Sequence, residues 1–254
     1  MSPNRRLLLQ ALALVVAVVT VFAVLGQVLG RGDGPAVAAT DQTVAGPVLL
    51  VPGYGGSTGA LQVLATALRA AGRTATVLPL PGDGTGDLGL SVTALEAAVT
   101  ASGSPVVDVV GYSAGGVVAR LWAKQHPTQV RRVVTLGSPH HGTKIAAVGA
   151  VLAPGACPIA CQQLVPESEL LDGVNDGDET PPGPQWLSLW TTQDETVTPP
   201  TSARLDGAVN VALQDLCPAL QVSHSNLPRD PVVTRVVIGA LSGAGVTAPT
   251  AAVC

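Results

Sequence analysis

The chain has 254 residues, of which 47% are hydrophobic and only 2% aromatic, and this suits one globular domain with an aliphatic core. It carries 13 basic and 17 acidic residues, for a formal net charge of −4, and no basic run lies within its globular part. A nucleic-acid partner is therefore excluded, because nothing in this charge pattern would attract a phosphate backbone.

Residues 1–39 predict an export signal. Arg5 and Arg6 precede an uncharged apolar stretch over residues 7–29, and small residues follow at positions 36–39. A basic region, an apolar region and a small-residue cleavage site in this order are typical of a secretory signal peptide, so secretion is predicted. The apolar stretch is also long enough to span a bilayer, and the alternative is an uncleaved anchor that holds the domain at the membrane.

Short apolar runs and helical stretches alternate through residues 47–254, which follow a linker over residues 40–46 and are assigned to a single domain. The elements expected first are a strand over 47–51, a helix over 58–71, a strand over 73–78, a helix from 87 or 91 to about 101, a strand over 106–110, a helix over 114–125 and a strand over 130–136. Strands over 186–191 and 208–213 and a helix over 231–241 complete the pattern. This alternation predicts an α/β fold with a mostly parallel sheet, helices on both faces, and all strand carboxyl ends at one edge.

The alternation is interrupted between residues 143 and 185, a segment that we expect to form a short irregular excursion over that edge. Ile145, Val148, Val151 and Leu152 have helical spacing in this segment. Such spacing is typical of side chains that pack into a core, which is the expectation here, and a hydrophobic lid over a site is the alternative.

Neither a metal nor a cofactor is expected. The same segment contains four acidic residues, Asp172, Asp176, Asp178 and Glu179, but it lacks the ligand pattern of a calcium-binding EF-hand loop. A solvated acidic loop is therefore expected. The glycine-rich segment 52–56 lacks the P-loop pattern that binds phosphate.

Four cysteines in an exported chain are expected to form disulfides. Three pairings are possible, and we predict Cys157–Cys161, a local pair, together with Cys217–Cys254. A zinc site is the competing interpretation, but the spacings lack the paired C-x-x-C pattern of such sites.

A serine between two glycines, Ser113 in Gly111-Tyr112-Ser113-Ala114-Gly115, follows the apolar run 106–110. This pattern at a strand-to-helix turn predicts a nucleophile elbow, in which a tight turn presents the serine hydroxyl at the amino end of the next helix. The glycines remove side chains that would collide across the turn. The helix dipole and its free N–H groups favour negative charge at that position.

A serine hydroxyl needs a base within hydrogen-bond reach, and the base needs an acid that orients it. His224 follows the last predicted strand and is the expected base, whereas His140 and His141 come too early in the chain and His126 ends a helix. The expected acid is Asp194, at the turn after the strand over 186–191, with the neighbouring Glu195 as its competitor.

Two backbone N–H groups are expected to stabilise an oxyanion. One belongs to Ala114, directly after the predicted nucleophile. The other should come from the glycine-rich loop 52–56 after the first strand, where Tyr54 is the expected donor.

Several motifs in this order resemble those of secreted bacterial lipases of the α/β-hydrolase fold. They are Pro-Gly-Tyr-Gly-Gly at 52–56, Gly-Tyr-Ser-Ala-Gly at 111–115, Gly-Ser-Pro-His-His-Gly at 137–142, Asp194 with Val-Thr-Pro at 197–199, and Ser-His at 223–224. The chain is most similar to the small class-2 triacylglycerol lipases and esterases of actinobacteria and bacilli, over approximately residues 45–241. Many of these relatives carry His-Gly where this chain has Pro52-Gly53.

The resemblance implies a secreted carboxylester hydrolase that acts through an acyl-enzyme on acyl-ester, lipid-like substrates. It also implies a monomer that makes transient contact with a lipid interface. An acyltransferase or thioesterase with the same residues is one alternative, and a catalytically silent surface binding protein is another. The ordered set of Ser113, Asp194 and His224 favours an enzyme.

Overall fold

A computed structural model describes residues 40–254, so the predicted export segment lies outside the described residues. Within this range no helix is both long enough and apolar enough to cross a membrane. Residues 40–46, the predicted linker, make contacts with the domain. The Thr40 hydroxyl donates to the carbonyl of Pro127, and the Gln42 amide donates to the carbonyl of Arg131.

Six parallel strands form one sheet in the described part of the chain. They are β1 (Val48–Val51), β2 (Ala75–Val77), β3 (Val107–Tyr112), β4 (Val130–Leu136), β5 (Gln185–Trp190) and β6 (Val209–Ala212). Their spatial order is β2-β1-β3-β4-β5-β6. All carboxyl ends therefore lie at one edge, as the alternating sequence pattern predicts.

Helices cover both faces of this sheet. The α-helices are α1 (Gly59–Ala70), α2 (Leu88–Ser102), α3 (Ala114–Gln125), α4 (Lys144–Leu152), α5 (Ile159–Gln163), α6 (Glu169–Asn175), α7 (Leu213–Leu216) and α8 (Pro231–Ser242). Successive strand residues point to opposite faces, so Val48 and Leu50 of β1 pack with α1 and α8, whereas Leu49 and Val51 pack with α2 and α3. The predicted α/β class with a parallel sheet is confirmed.

Most predicted elements differ from the observed ones by one or two residues at an end. The strand expected over 73–78 is shorter, Ala75–Val77, although the Thr74 carbonyl and the Leu78 N–H still bond to β1. Of the two possible starts for the second helix, the structure has the earlier one. The Asp87 carboxylate accepts a hydrogen bond from the N–H of Gly89 and caps α2.

The segment 143–185 contains three short helices, α4 to α6, where the sequence predicted an irregular path. Core packing was expected for the apolar residues of α4, and this expectation is wrong. Ile145 and Val148 are 55% and 53% exposed, and Val151 and Leu152 are each 78% exposed. Only Ala146 of this helix is buried, so its small-residue side faces the protein and its large aliphatic side faces solvent.

Candidate active site

Ser113 lies at the turn between β3 and α3 with a strained backbone, φ 54° and ψ −127°. A non-glycine residue with positive φ is uncommon, and such strain persists only where the surroundings enforce it. Gly111 and Gly115 make the turn possible. A Cβ on Gly111 would lie 2.5 Å from the Gly115 carbonyl oxygen, and one on Gly115 would collide with the Val51 carbonyl oxygen.

The structure brings the predicted base and acid to this serine. His224 Nε2 lies 3.0 Å from Ser113 Oγ, and His224 Nδ1 lies 2.7 Å from Asp194 Oδ2. The other carboxylate oxygen of Asp194 accepts hydrogen bonds from the N–H groups of Thr196 and Val197 at 2.9 and 2.7 Å. All three side chains are at least nine-tenths buried. Both carboxylate oxygens of Asp194 thus have hydrogen-bond partners. The His224 ring is oriented by its contacts with Asp194 on one side and Ser113 on the other.

Tyr112 also contacts His224 and was not singled out from the sequence. Its ring centroid lies 5.2 Å from that of His224, and its hydroxyl donates to the His224 carbonyl oxygen at 3.2 Å. Burial, with the nearby charge of Asp194, raises the pKa of Tyr112 to about 12, so the hydroxyl stays protonated. In the sequence, the only signal that could have indicated this contact is the position of Tyr112 directly before Ser113.

Gly137, the residue after β4, lies beside Asp194 and His224. Its φ is +55°, and a Cβ there would be 3.2 Å from both Asp194 Oδ2 and His224 Nδ1 and 2.6 Å from Leu227 Cδ1. A side chain at this position would occupy the space that the pair needs. Gly137 belongs to the motif at 137–142, but its close approach to Asp194 and His224 was not predicted from the sequence.

The predicted oxyanion loop lies directly against the serine. A Cβ on Gly53 would be 2.8 Å from Ser113 Cβ and 3.5 Å from Ser113 Oγ. Within residues 40–254, the backbone N–H groups of Tyr54 and Ala114 make no hydrogen bond, so both donors are free. The Tyr54 side chain is 44% exposed and stands at the surface.

The other three histidines contact other residues. His140 is fully buried, with Nε2 3.1 Å from Thr135 Oγ1. Burial, reinforced by the charges of Arg120 and His141, lowers the pKa of His140 well below 6.5. His141 Nε2 lies 2.7 Å from Glu179 Oε1. His126 stacks on Trp122 at the end of α3.

The acidic loop after α6 contacts a cation of the chain itself. Lys124 of α3 donates to the carbonyl oxygens of Val174, Asp176 and Asp178 at 2.8, 3.1 and 3.1 Å. Among the described residues, no group of three or more His, Cys, Asp or Glu side chains could hold a metal ion. The ammonium group of Lys124 thus lies at the point where these three carbonyl oxygens converge.

Both predicted cysteine pairs are bonded in the structure, Cys157 to Cys161 and Cys217 to Cys254. The first pair adjoins α5, which lies beside α4 in the excursion. The second joins the segment before His224 to residue 254. Neither pair touches the Ser113–His224–Asp194 arrangement directly.

Comparisons with known proteins agree with this architecture. The family described as alpha/beta hydrolase fold matches residues 46–154. Lipase B of Aspergillus fumigatus superposes with a TM-score of 0.67 at 21% identity, over 82% of this chain and 55% of that chain. A mature Bacillus licheniformis lipase gives a TM-score of 0.62 at 21% identity, over 82% of this chain and 96% of that one. A monoacylglycerol lipase of Paleococcus ferrophilus gives a TM-score of 0.55 at 17% identity, over 78% of this chain and 95% of that one.

The fold is therefore the α/β-hydrolase fold, with a parallel central sheet of six strands and helices around it. Sequence identities this low show the fold alone. The chain spans little more than half the length of the Aspergillus protein. A search of curated proteins gave no match.

Proposed function

We propose that this protein is a carboxylester hydrolase that uses Ser113 as nucleophile, His224 as general base and Asp194 as the acid that orients the base. The observation that carries the proposal is the continuous chain of contacts from Asp194 through His224 to Ser113, at 2.7 and 3.0 Å. These distances are within the range that nucleophile activation requires. The lipase and monoacylglycerol lipase neighbours support an ester of lipid type as substrate.

The reaction proceeds in two halves. Ser113 Oγ attacks the ester carbonyl carbon while His224 Nε2 takes the hydroxyl proton, and Asp194 stabilises the resulting imidazolium. His224 then gives this proton to the alcohol oxygen, which leaves, and the acyl group stays on Ser113. In the second half a water molecule gives its proton to His224, attacks the acyl carbon and releases the carboxylic acid, and the proton returns to Ser113.

Two free N–H groups would bind the negatively charged oxygen of each tetrahedral intermediate, those of Ala114 and Tyr54. The Ala114 N–H lies at the amino end of α3, where the helix dipole adds to the attraction. Such donors are fixed before the reaction and need no reorganisation when charge develops. For comparable enzymes, loss of one donor lowers kcat by about 10²–10³-fold.

The substrate approaches, in this proposal, from a lipid interface that the aliphatic face of α4 contacts. Ile145, Val148, Val151 and Leu152 are all more than half exposed, as is Ile159 at the start of α5. Water contact with aliphatic side chains costs free energy, and a lipid surface would remove it. We propose that the protein acts as a secreted monomer, consistent with its two disulfides.

The ester hydrolase proposal is tested with a chain-length series of p-nitrophenyl esters and a fluorophosphonate probe on wild type and Ser113→Ala. Wild type should hydrolyse the esters without an added acyl acceptor and be labelled, and Ser113→Ala should do neither. Turnover that requires an added alcohol would point to an acyltransferase. A preference for thioesters would point to a thioesterase. A wild-type protein that is neither labelled nor active contradicts the enzyme proposal and favours a binding protein.

The lipid-interface proposal is tested by comparing hydrolysis of an emulsified long-chain ester with that of a dissolved short-chain ester. Val151→Gln with Leu152→Gln should lower the first rate and spare the second. The control is Leu90→Gln, because Leu90 is also 56% exposed but lies on α2. Equal rates for both variants on the emulsion would contradict a function of α4 at the interface.

A further inference from the structure

A second glycine loop supports the loop that carries the Tyr54 N–H. The Gly55 N–H donates to the carbonyl oxygen of Gly84 at 3.2 Å. A Cβ on Gly84 would lie 2.5 Å from Gly56 N and 2.8 Å from Gly56 Cα. The two backbones therefore touch at a distance that only glycine at position 84 permits.

The supporting loop, residues 81–87, is itself fixed from within. Asp83 Oδ1 accepts hydrogen bonds from the N–H and the hydroxyl of Thr85 at 3.0 and 2.6 Å. These hydrogen bonds lower the pKa of Asp83 below its ordinary value. The Gly84 N–H donates to the Pro81 carbonyl at 3.1 Å, which closes the turn.

The outer side of the same loop is held by α5. The Ala160 N–H donates to the Thr85 carbonyl oxygen at 3.1 Å, and Gln163 Oε1 accepts from the Leu88 N–H at 2.9 Å. Cys161 of this helix is bonded to Cys157. Loop 81–87 thus lies between α5 and the loop of residues 53–56 and makes hydrogen bonds to both.

We propose that Gly84 is a positioning residue for the oxyanion site: its contact with Gly55 and Gly56 fixes the direction of the neighbouring Tyr54 N–H. The proposal rests on the function proposed above. A small displacement of that N–H weakens its bond to the oxyanion, because hydrogen bonds depend steeply on distance and angle. Ser113, His224 and Asp194 lie on other segments of the chain, and the proposal expects their mutual distances to stay as in wild type.

The test compares three alanine variants within one loop. Gly84→Ala adds both backbone strain, since φ is +71°, and a collision with Gly56. Gly82→Ala adds the strain alone, since φ is +60° and a Cβ there meets nothing within 4 Å. Gly86→Ala adds neither. The difference between the first two variants isolates the contact with residues 55 and 56.

Gly84→Ala should lower kcat for a short-chain ester by about 10-fold or more, with little change in KM or in the pH profile, because the acid–base pair is untouched. Gly82→Ala and Gly86→Ala should stay near wild type. The ratio of oxo-ester to thiono-ester turnover should also fall in Gly84→Ala alone, since sulfur accepts the donors' hydrogen bonds poorly. An unchanged ratio, or equal losses in Gly82→Ala and Gly84→Ala, would overturn the proposal.

An independent measurement separates this proposal from the ester hydrolase proposal. In ¹⁵N–¹H spectra, the Tyr54 amide resonance should move in Gly84→Ala and stay in place in Gly82→Ala. If wild type hydrolyses no ester, the function proposal fails, while the Tyr54 resonance still tests the contact. If wild type is active and the Tyr54 resonance is the same in all variants, the positioning proposal alone is refuted.

Discussion

Gly137 provides the space in which Asp194 and His224 meet. A methyl group at this position would press on Leu227, Asp194 and His224 at distances from 2.6 to 3.2 Å, and the positive φ of +55° would add strain. Gly137→Ala should therefore separate Asp194 from His224 and lower kcat by about 10²-fold, the penalty typical of a displacement near 1 Å. The measurement is kcat for a soluble ester.

The control for Gly137→Ala is Gly103→Ala. Gly103 also has positive φ, +64°, but a Cβ there meets nothing within 4 Å. Both variants carry the backbone strain, but only Gly137→Ala adds a methyl group against Asp194 and His224. We therefore expect only Gly137→Ala to lose activity. Similar kcat values for the two variants would show that the acid–base pair tolerates the methyl group.

The buried His140 should make the fold sensitive to acid. Because burial lowers its pKa well below 6.5, the folded protein leaves the ring neutral while the unfolded chain takes up a proton as pH falls below 6.5. The unfolded state then binds more protons, and the free energy of unfolding decreases by at most about 1.4 kcal/mol per pH unit from this group. His140→Gln removes the titrating ring.

Urea unfolding at pH 7.5, 6.5, 5.5 and 5.0 measures this effect. Between pH 6.5 and 5.0, wild type should lose more stability than His140→Gln, whatever the absolute stability of the variant. Parallel curves for the two proteins would mean that His140 does not contribute to acid sensitivity.

The sequence predicted Ser113, Asp194 and His224 as a set because each follows a strand in a fixed order, and the order alone places them at one edge. That they act together in catalysis stays a prediction. The contact of Tyr112 with His224 and the close approach of Gly137 to Asp194 and His224 could not be predicted. Both depend on which atoms of distant loops lie across from them, which spacing along the chain does not encode.

At the scale of elements, strands were predicted well because they are buried on both faces and consist of continuous apolar runs. The three helices of segment 143–185 were not assigned, although residues 145–152 show helical spacing, and the reason is their length. They have nine, five and seven residues, too few to be stable alone, and they depend on contacts with the rest of the fold. Side-chain caps help to start two of them, from Thr143 for α4 and Ser168 for α6.

A charged residue inside an apolar strand joins several elements. Asp108 of β3 is fully buried and lies 2.6 Å from both Arg73 and Arg131. Asp108→Asn leaves two arginines without a counter-charge, so we expect a loss of about 3–5 kcal/mol in the free energy of unfolding. Urea unfolding measures the loss.

Asp172→Asn is the matched control for Asp108→Asn, because Asp172 is exposed on α6. It should change stability by less than about 0.5 kcal/mol. At low urea Asp108→Asn should keep its kcat, since the strand places Asp108 about 16 Å from Ser113. A loss below 1 kcal/mol for Asp108→Asn would indicate that the arginines find other partners.

On the scale of the whole molecule, the two ends of the sheet carry different polar centres. At the amino ends of the strands, Arg131 and Arg132 donate to the carbonyl oxygens of Leu241 and Ala240 at the end of α8. Cations at this position satisfy the free carbonyls of the helix and its dipole. At the carboxyl ends lie Ser113 and its partners. The buried arginine contacts and the proposed catalytic residues thus lie at opposite ends of the strands. We therefore expect a substitution among the arginine contacts to change stability without changing kcat.

The two disulfides should contribute unequally to the stability of the whole domain. Cys217–Cys254 joins residues 37 positions apart, whereas Cys157–Cys161 joins residues only 4 apart. In the chain-entropy account, a cross-link removes more freedom from the unfolded chain when it closes a longer loop. The expected contributions are about 4 kcal/mol for the long loop and about 2 kcal/mol for the short one.

Replacing both cysteines of one pair by alanine, and then both of the other, measures these contributions by urea unfolding. The variant without Cys217–Cys254 should be less stable than the variant without Cys157–Cys161 by about 2 kcal/mol. Cys157 and Cys217 are both at least 95% buried, so the alanines at these two positions remove similar packing. Cys161 is partly buried and Cys254 is exposed, so the remaining packing loss is larger in the variant without Cys157–Cys161 and acts opposite to the expected effect of the loops. Equal losses would mean that the unfolded chain between 217 and 254 is already restricted without the bond.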